Sequence, residues 1–217
     1  MITVFDLDYT LLDTARLKDD MNRCFRLAAA GADFSADYKS YFKIPGAPVN
    51  FSMDLYVDRL KQDGRIDPRQ GESLRAEFGR IMAGLKDYLF PGWAEIIGHY
   101  RDRGDETILA TFGDKAYQQV KISSLAIGDY FDEIIYEDRD KRENGFLEKL
   151  KKSGQKIRFI NDNAWESLKM MRAIGEDCEL YLIKGPYFHN TKEEREEFVG
   201  RKVEFFDSLK ILSNLKL

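Results

Sequence analysis

Two aspartates, Asp6 and Asp8, stand two residues apart between the apolar run ITVF and the pair Leu11–Leu12. Like charges set in apolar sequence repel each other and resist desolvation, so an ordinary core does not tolerate them. A bound cation is the simplest compensation. Two more polar residues follow apolar runs in the same way. Thr111 comes after TILA, and Asp162 comes after IRFIN with Glu166 four residues on. If each run is a strand delivering its last residues to one common edge, a single pocket gathers carboxylates, a hydroxyl and a cation. That donor set suits magnesium, which prefers carboxylate, carbonyl and water oxygens and takes one or two carboxylates plus a substrate phosphate. A carboxylate can attack phosphorus to give an aspartyl phosphate. A second carboxyl nearby can protonate the leaving oxygen and then activate water.

The elements that must position these residues fall into two regimes. From Thr14 to about Leu89 the pattern is helical almost throughout. TARLKDDMNRCFRLAAAG repeats apolar residues on one face, with Gly31 as its expected C-terminal cap; DPRQGESLRAEFGRIMAGLKDYL starts well at Asp67 and Pro68. After FPGW, helices alternate with the short apolar runs ETILAT, EIIY, KIRFIN and ELYLIK, and VEFF follows near the end. Such alternation predicts a parallel sheet with helices on both faces, whose right-handed crossovers bring every strand's carboxyl end to one edge. The expected architecture is α/β: a doubly wound, Rossmann-like core of residues 1–13 and 90–217, with an all-helical cap of residues 14–89 inserted after the first strand.

With these residues in place the chain resembles the haloacid dehalogenase-like hydrolase superfamily, in particular its phosphatases with a helical cap. The resemblance rests on DLDYT, on ILATFG ending at Thr111, on a lysine ahead of the last motif, and on INDNAWE; FPG and DYFDEII fit as well. It covers residues 1 to about 183. Carried over residue by residue, it implies that Asp6 is the nucleophile and Asp8 the general acid and base. It implies that Asp6, the main-chain carbonyl of Asp8, and Asp162 hold Mg2+. Thr111 is the expected phosphoryl contact, and Glu166 orients a lysine or a metal-bound water. The phosphate-binding lysine is expected at Lys141, with Arg142 beside it and Lys149 in the next helix as the other cations near that position. Two motifs depart from the common pattern: Thr-Phe-Gly stands where Asn often occupies the middle, and Asn-Asp stands where Gly-Asp is common. The presence of Asp8 favours phosphate esters over carbon–halogen bonds.

Composition narrows the partners. With 34 Lys and Arg against 38 Asp and Glu the net charge is −4, so no basic surface for nucleic acid is expected. No apolar run approaches a membrane span, and the N-terminus lacks a signal-peptide pattern, which predicts a cytoplasmic protein. Cys24 and Cys178 fit no metal or redox spacing. The expected activity is therefore a magnesium-dependent phosphatase for a small phosphorylated metabolite. A phosphomutase or phosphotransferase of the same fold is the alternative within this chemistry, and a non-catalytic regulatory protein that keeps the metal site is the alternative outside it. Neither the substrate nor the oligomeric state is written in these motifs.

Overall fold

Six short runs rich in Ile, Val, Phe and Leu form the strands, and among the described residues each of the first five is flanked by a helix. The computed structural model describes residues 1–42, 51–137, 145–175, 178–184, 196, 198–200 and 202–207. The strands are β1 Ile2–Phe5, β2 Glu106–Phe112, β3 Glu133–Glu137, β4 Ile157–Asn161, β5 Cys178–Ile183 and β6 Val203–Phe206. All neighbouring strands pair in parallel, in the order β3-β2-β1-β4-β5-β6. Phe5 of β1 is in register with Leu109 of β2 on one side and with Ile160 of β4 on the other. The connections run one way from β1 through β2 to β3 and the other way through β4, β5 and β6. The switch point of the sheet therefore lies beside β1, where open α/β sheets bind ligands.

Eight α-helices accompany the strands among the described residues. Four lie in the segment inserted after β1: α1 Thr14–Ala28, α2 Phe34–Phe42, α3 Met53–Gln62 and α4 Pro68–Ala83. A 3-10 turn at Leu85–Tyr88 follows them. The rest are α5 Trp93–Asp102, α6 Lys115–Leu125, α7 Gly145–Lys152 and α8 Ala164–Ile174. Helix α4 starts with a capping box, in which Asp67 accepts from Gln70 N and the Gln70 side chain accepts from Asp67 N. The expected helix over 67–89 stops earlier, because the chain tightens into the 3-10 turn after Gly84. Gly31 does not cap α1, whose C-cap is the extended residue Ala29. It is a glycine for another reason: a Cβ there would lie 2.0 Å from the Arg65 carbonyl oxygen.

The period of two sorts the strand side chains into two cores. Val4, Ile108, Phe159 and Leu180 pack on one face with Phe146 of α7 and Leu168 of α8. Phe5, Leu109, Ile160 and Tyr181 pack on the other with Ile97 and Tyr100 of α5 and Ile122 of α6, and this core runs on into Leu17, Phe25 and Tyr56 of the helical insertion. The chain leaves the sheet for the insertion and returns at one place, since Asp13 N donates to Tyr88 O at 2.7 Å and Phe90 N to Leu11 O at 2.9 Å.

One charged group lies deep in the second core. Arg158 of β4 has a side chain 4% exposed and is held by Asp105 at 3.3 Å and Glu179 at 2.9 Å. Its guanidinium lies between the rings of Tyr100 and Tyr181, 4.6 and 5.0 Å from their centroids. Removing one partner of a buried ion pair leaves an uncompensated charge, which costs about 3–5 kcal/mol. We expect Arg158→Met to lower the urea unfolding free energy by about 3 kcal/mol or more, measured by far-UV circular dichroism at pH 7.

Candidate functional site

Strand β1 ends at Phe5, and the chain then turns sharply. Leu7 O accepts from the amides of Leu11 and Leu12 at 3.0 and 2.9 Å, and Tyr9 N donates to Leu12 O at 2.9 Å. Tyr9 takes a φ of 64°, a left-handed conformation that a residue with a Cβ adopts only at a cost. Strain of this kind beside paired carboxylates is typical of functional turns. The turn keeps Asp6 and Asp8 on one cavity of about 540 Å³. Asp162, just past the end of β4, and Glu166 in the first turn of α8 line the same cavity. Asn163 caps α8 by accepting from Glu166 N at 3.1 Å, which fixes where Glu166 leaves the helix.

The four carboxylates are not equivalent. Burial, together with Asp162, Glu166 and Asp8, holds the Asp6 carboxyl well above the usual range. Burial and the charge of Glu166 push Asp162 up to about 7. Asp8 goes the other way. Burial pushes it up, but the ammonium of Lys121 and the hydroxyl of Thr14 outweigh that and hold it below the usual range. Lys121 Nζ donates to both Asp8 oxygens, at 2.6 and 2.7 Å, and Thr14 Oγ1 donates to Oδ1 at 2.7 Å. Gln118 Nε2 lies 3.4 Å from Asp8 Oδ2 and donates to Phe112 O at 2.9 Å.

Lys121 was not among the residues expected from the sequence. It belongs to α6, where Gln118, Lys121, Ile122 and Leu125 are all buried. That is the i, i+3, i+4, i+7 stripe of a core-facing helix, with two polar residues where apolar ones belong. A lysine inside such a stripe, 2% exposed, needs a counter-charge, and Asp8 is that charge. The stripe was the available signal.

The other expected residues divide. Thr111, at the end of β2, is 1% exposed, and its Oγ1 finds no hydrogen-bond partner among the described residues. It does not cap α6, because Asp114 does so by accepting from Tyr117 N at 2.8 Å. Its neighbours Phe112 and Gly113 line the cavity. Thr111 itself is not among the residues that line it. Lys141 and Arg142 lie outside the described residues. Lys149 is directed elsewhere, in an exposed ion pair with Glu133 of β3.

Among the described residues no three His, Cys, Asp or Glu side chains form a metal cage by themselves. A magnesium site needs no such cage, since it uses one or two carboxylates, a carbonyl and waters. The donor set at the end of β1 fits that pattern. Burial and neighbouring carboxylates raise the proton affinity of both Asp6 and Asp162, and the described residues provide no ion-pair partner for either.

The model of the haloacid dehalogenase-like hydrolases matches residues 2–175. The chain belongs to this family. No curated protein matches it. Among solved structures, this haloacid dehalogenase-like hydrolase is similar to one of the same description from Burkholderia xenovorans LB400. The TM-score is 0.75 at 16% identity over 100% of this chain and 98% of that one. A protein described as a β-phosphoglucomutase, from Thermotoga maritima, gives 0.66 at 17% identity over 99% and 97%. The HAD-hydrolase YfnB of Bacillus subtilis, bound to magnesium, gives 0.60 at 13% identity over 99% and 98%. At these identities the similarity establishes a shared fold. Among the described residues no helix is long and apolar enough to cross a membrane.

The Asp8–Lys121 pair makes a pH-dependent prediction. Asp8 has a folded-state pKa below its unfolded value, so its ionised form contributes stability above about pH 4 that is lost as pH falls further. Lys121→Met removes that contribution and orphans the carboxylate. The hydrolase should lose about 3 kcal/mol at pH 7, with the deficit shrinking as Asp8 protonates in acid. Urea midpoints at pH 7 and pH 4 measure this.

Proposed function

We propose that this hydrolase is a magnesium-dependent phosphatase that cleaves a small phosphorylated metabolite through an aspartyl phosphate on Asp6. The observation that carries this reading is the unequal treatment of two neighbouring carboxylates. Asp8 is held by a lysine and a hydroxyl, while the described residues offer Asp6 the Leu7 amide and the Thr10 hydroxyl at 3.4 Å but no ammonium or guanidinium. One carboxylate is anchored for proton transfer and its neighbour is left to react.

Asp6 attacks phosphorus and the bond to the leaving oxygen breaks, with Asp8 delivering a proton to that oxygen. Asp8 then takes a proton from water, the water oxygen bonds to phosphorus, and the bond to Asp6 breaks to release phosphate. The resting ion pair with Lys121 suits Asp8 to the second half. An arriving phosphate dianion competes for that ammonium and raises the proton affinity of Asp8, which suits it to the first half. Asp6, Asp162 and the carbonyl of Asp8 are the groups for Mg2+, which offsets the negative charge brought together as an anion attacks an anion. Thr111 Oγ1 donates to a phosphoryl oxygen. The helical insertion forms the opposite wall and acts as the cap that excludes bulk water. Magnesium in the similar YfnB structure supports the choice of metal.

Hydrolysis of an aryl phosphate with magnesium, or with EDTA, tests the reading. Magnesium-dependent phosphate release should fall by roughly 10³-fold or more in Asp6→Asn. Activity persisting in that variant would remove Asp6 from its role.

Metal binding also carries a sign. Asp162 and Asp6 have folded-state pKa values above their unfolded ones, Asp162 at about 7. Without metal, their contribution to stability is therefore lost as pH rises from about 4 to about 7. The opposite effect of Asp8 lies below that window. A cation binds the ionised set, so magnesium should raise the melting temperature at pH 8 by roughly twice as much as at pH 5. Asp162→Asn should flatten the difference in a thermal scan.

A further inference from the structure

The cap wall of the cavity has a composition opposite to that of the core wall. The core contributes the carboxylates of Asp6, Asp8, Asp162 and Glu166 and a lysine already committed to Asp8. The insertion contributes Leu17, Met21, Phe34, Tyr38 and Phe51, and among the described lining residues its only charge is Lys18. Lys18 occupies the buried stripe of α1, between Thr14 and Leu17 on one side and Met21 and Phe25 on the other. A lysine in such a position either carries its ammonium to solvent along an apolar stem or has a use for it where it lies. Here the ammonium stays at the cavity. Its Nζ donates to the Tyr9 hydroxyl at 2.8 Å and lies 4.4 Å from the centroid of the Tyr38 ring. Those two partners fix a cation on an otherwise apolar and aromatic wall, facing a pocket whose far side is acidic.

We propose that Lys18 determines specificity by binding an acidic group on the leaving group, so that the substrate is the phosphate monoester of a compact, apolar or aromatic hydroxy acid. This rests on the phosphatase reading, which places the phosphoryl group at Asp6. The carboxylates of the core wall repel a second anion, and among the described residues of the cap wall Lys18 is the cation that can receive it. The apolar side chains around Lys18 suit the body that joins the two acidic ends. A cavity of about 540 Å³ holds a phosphate and one ring-sized group. The Tyr9 and Tyr38 contacts hold the ammonium before the ligand arrives, which lowers the ordering cost of binding.

The test compares phenyl phosphate with its 3- and 4-carboxy derivatives in the wild type and in Lys18→Met, Lys18→Gln and Lys18→Arg, with thermal unfolding as the check on folding. The wild type should prefer one carboxylated ester by about tenfold or more in kcat/KM, the size of a charge-assisted hydrogen bond in a partly buried site. Lys18→Met and Lys18→Gln should abolish that preference through KM, and Lys18→Arg should retain most of it. Equal losses for all three esters, or no preference in the wild type, would overturn the proposal. If the wild type hydrolyses none of them, the phosphatase reading fails separately, and calorimetric binding of the same esters with magnesium present then decides. Tighter, Lys18-dependent binding of a carboxylated ester upholds the subsite. Equal binding, or none, overturns it.

Discussion

The structure is organised around a surplus of negative charge at the carboxyl edge of its sheet. Asp6, Asp8, Asp162 and Glu166 meet in one cavity, and burial together with their Coulomb repulsion raises the proton affinities of Asp6 and Asp162. Among the described residues a single buried cation, Lys121, opposes this charge, and it is committed to one carboxylate. Lys121 neutralises Asp8, while Asp6 and Asp162 keep raised proton affinities. A folded protein tolerates such a site because the rest of the edge is rigid. β1 and β4 are buried along their whole length, and each is hydrogen-bonded on both sides.

The same edge explains the position of the helical insertion. Ligands in an open α/β sheet bind at the switch point, and here that point lies between β1 and its neighbours. An insertion placed directly after β1 forms the second wall of the pocket over the shortest possible length of chain. Helix α1 begins at Thr14, whose hydroxyl already bonds Asp8, so the wall starts at the chemistry itself. Among the described residues the two walls differ in kind: acidic oxygens on the sheet side, apolar and aromatic surface with the Lys18 ammonium on the other.

Much of this was legible in the sequence. The six strands fall on the six apolar runs, and the polar residues that end them reach one edge, because period-two burial and strand–helix alternation are local signals. The same signals bring Asp6, Asp8, Asp162 and Glu166 to one edge, and all four line one cavity. Lys121 was not, because a lysine in a helix reads as solvated until the burial of its stripe is known. Gly31 was assigned to a helix end on composition, whereas its need for glycine comes from Arg65, far along the chain. Thr111 lies near the end of β2 as expected, but the burial of its hydroxyl without a partner among the described residues depends on packing that no spacing reveals. The expected Lys141 falls outside the described residues.

The place where the chain crosses between sheet and insertion has a consequence for descent. Leu12 and Leu89 form an antiparallel bridge, and the amides of Asp13 and Phe90 bond across the two crossing segments. The outgoing and returning chains are thus already fastened side by side, like the stem of a hairpin whose loop is four helices long. Whatever hangs from such a stem can be shortened, lengthened or exchanged without altering strand order or register beneath it. New selectivity in this lineage can therefore arise by grafting at a single stem, while the carboxylates at the sheet edge keep their positions.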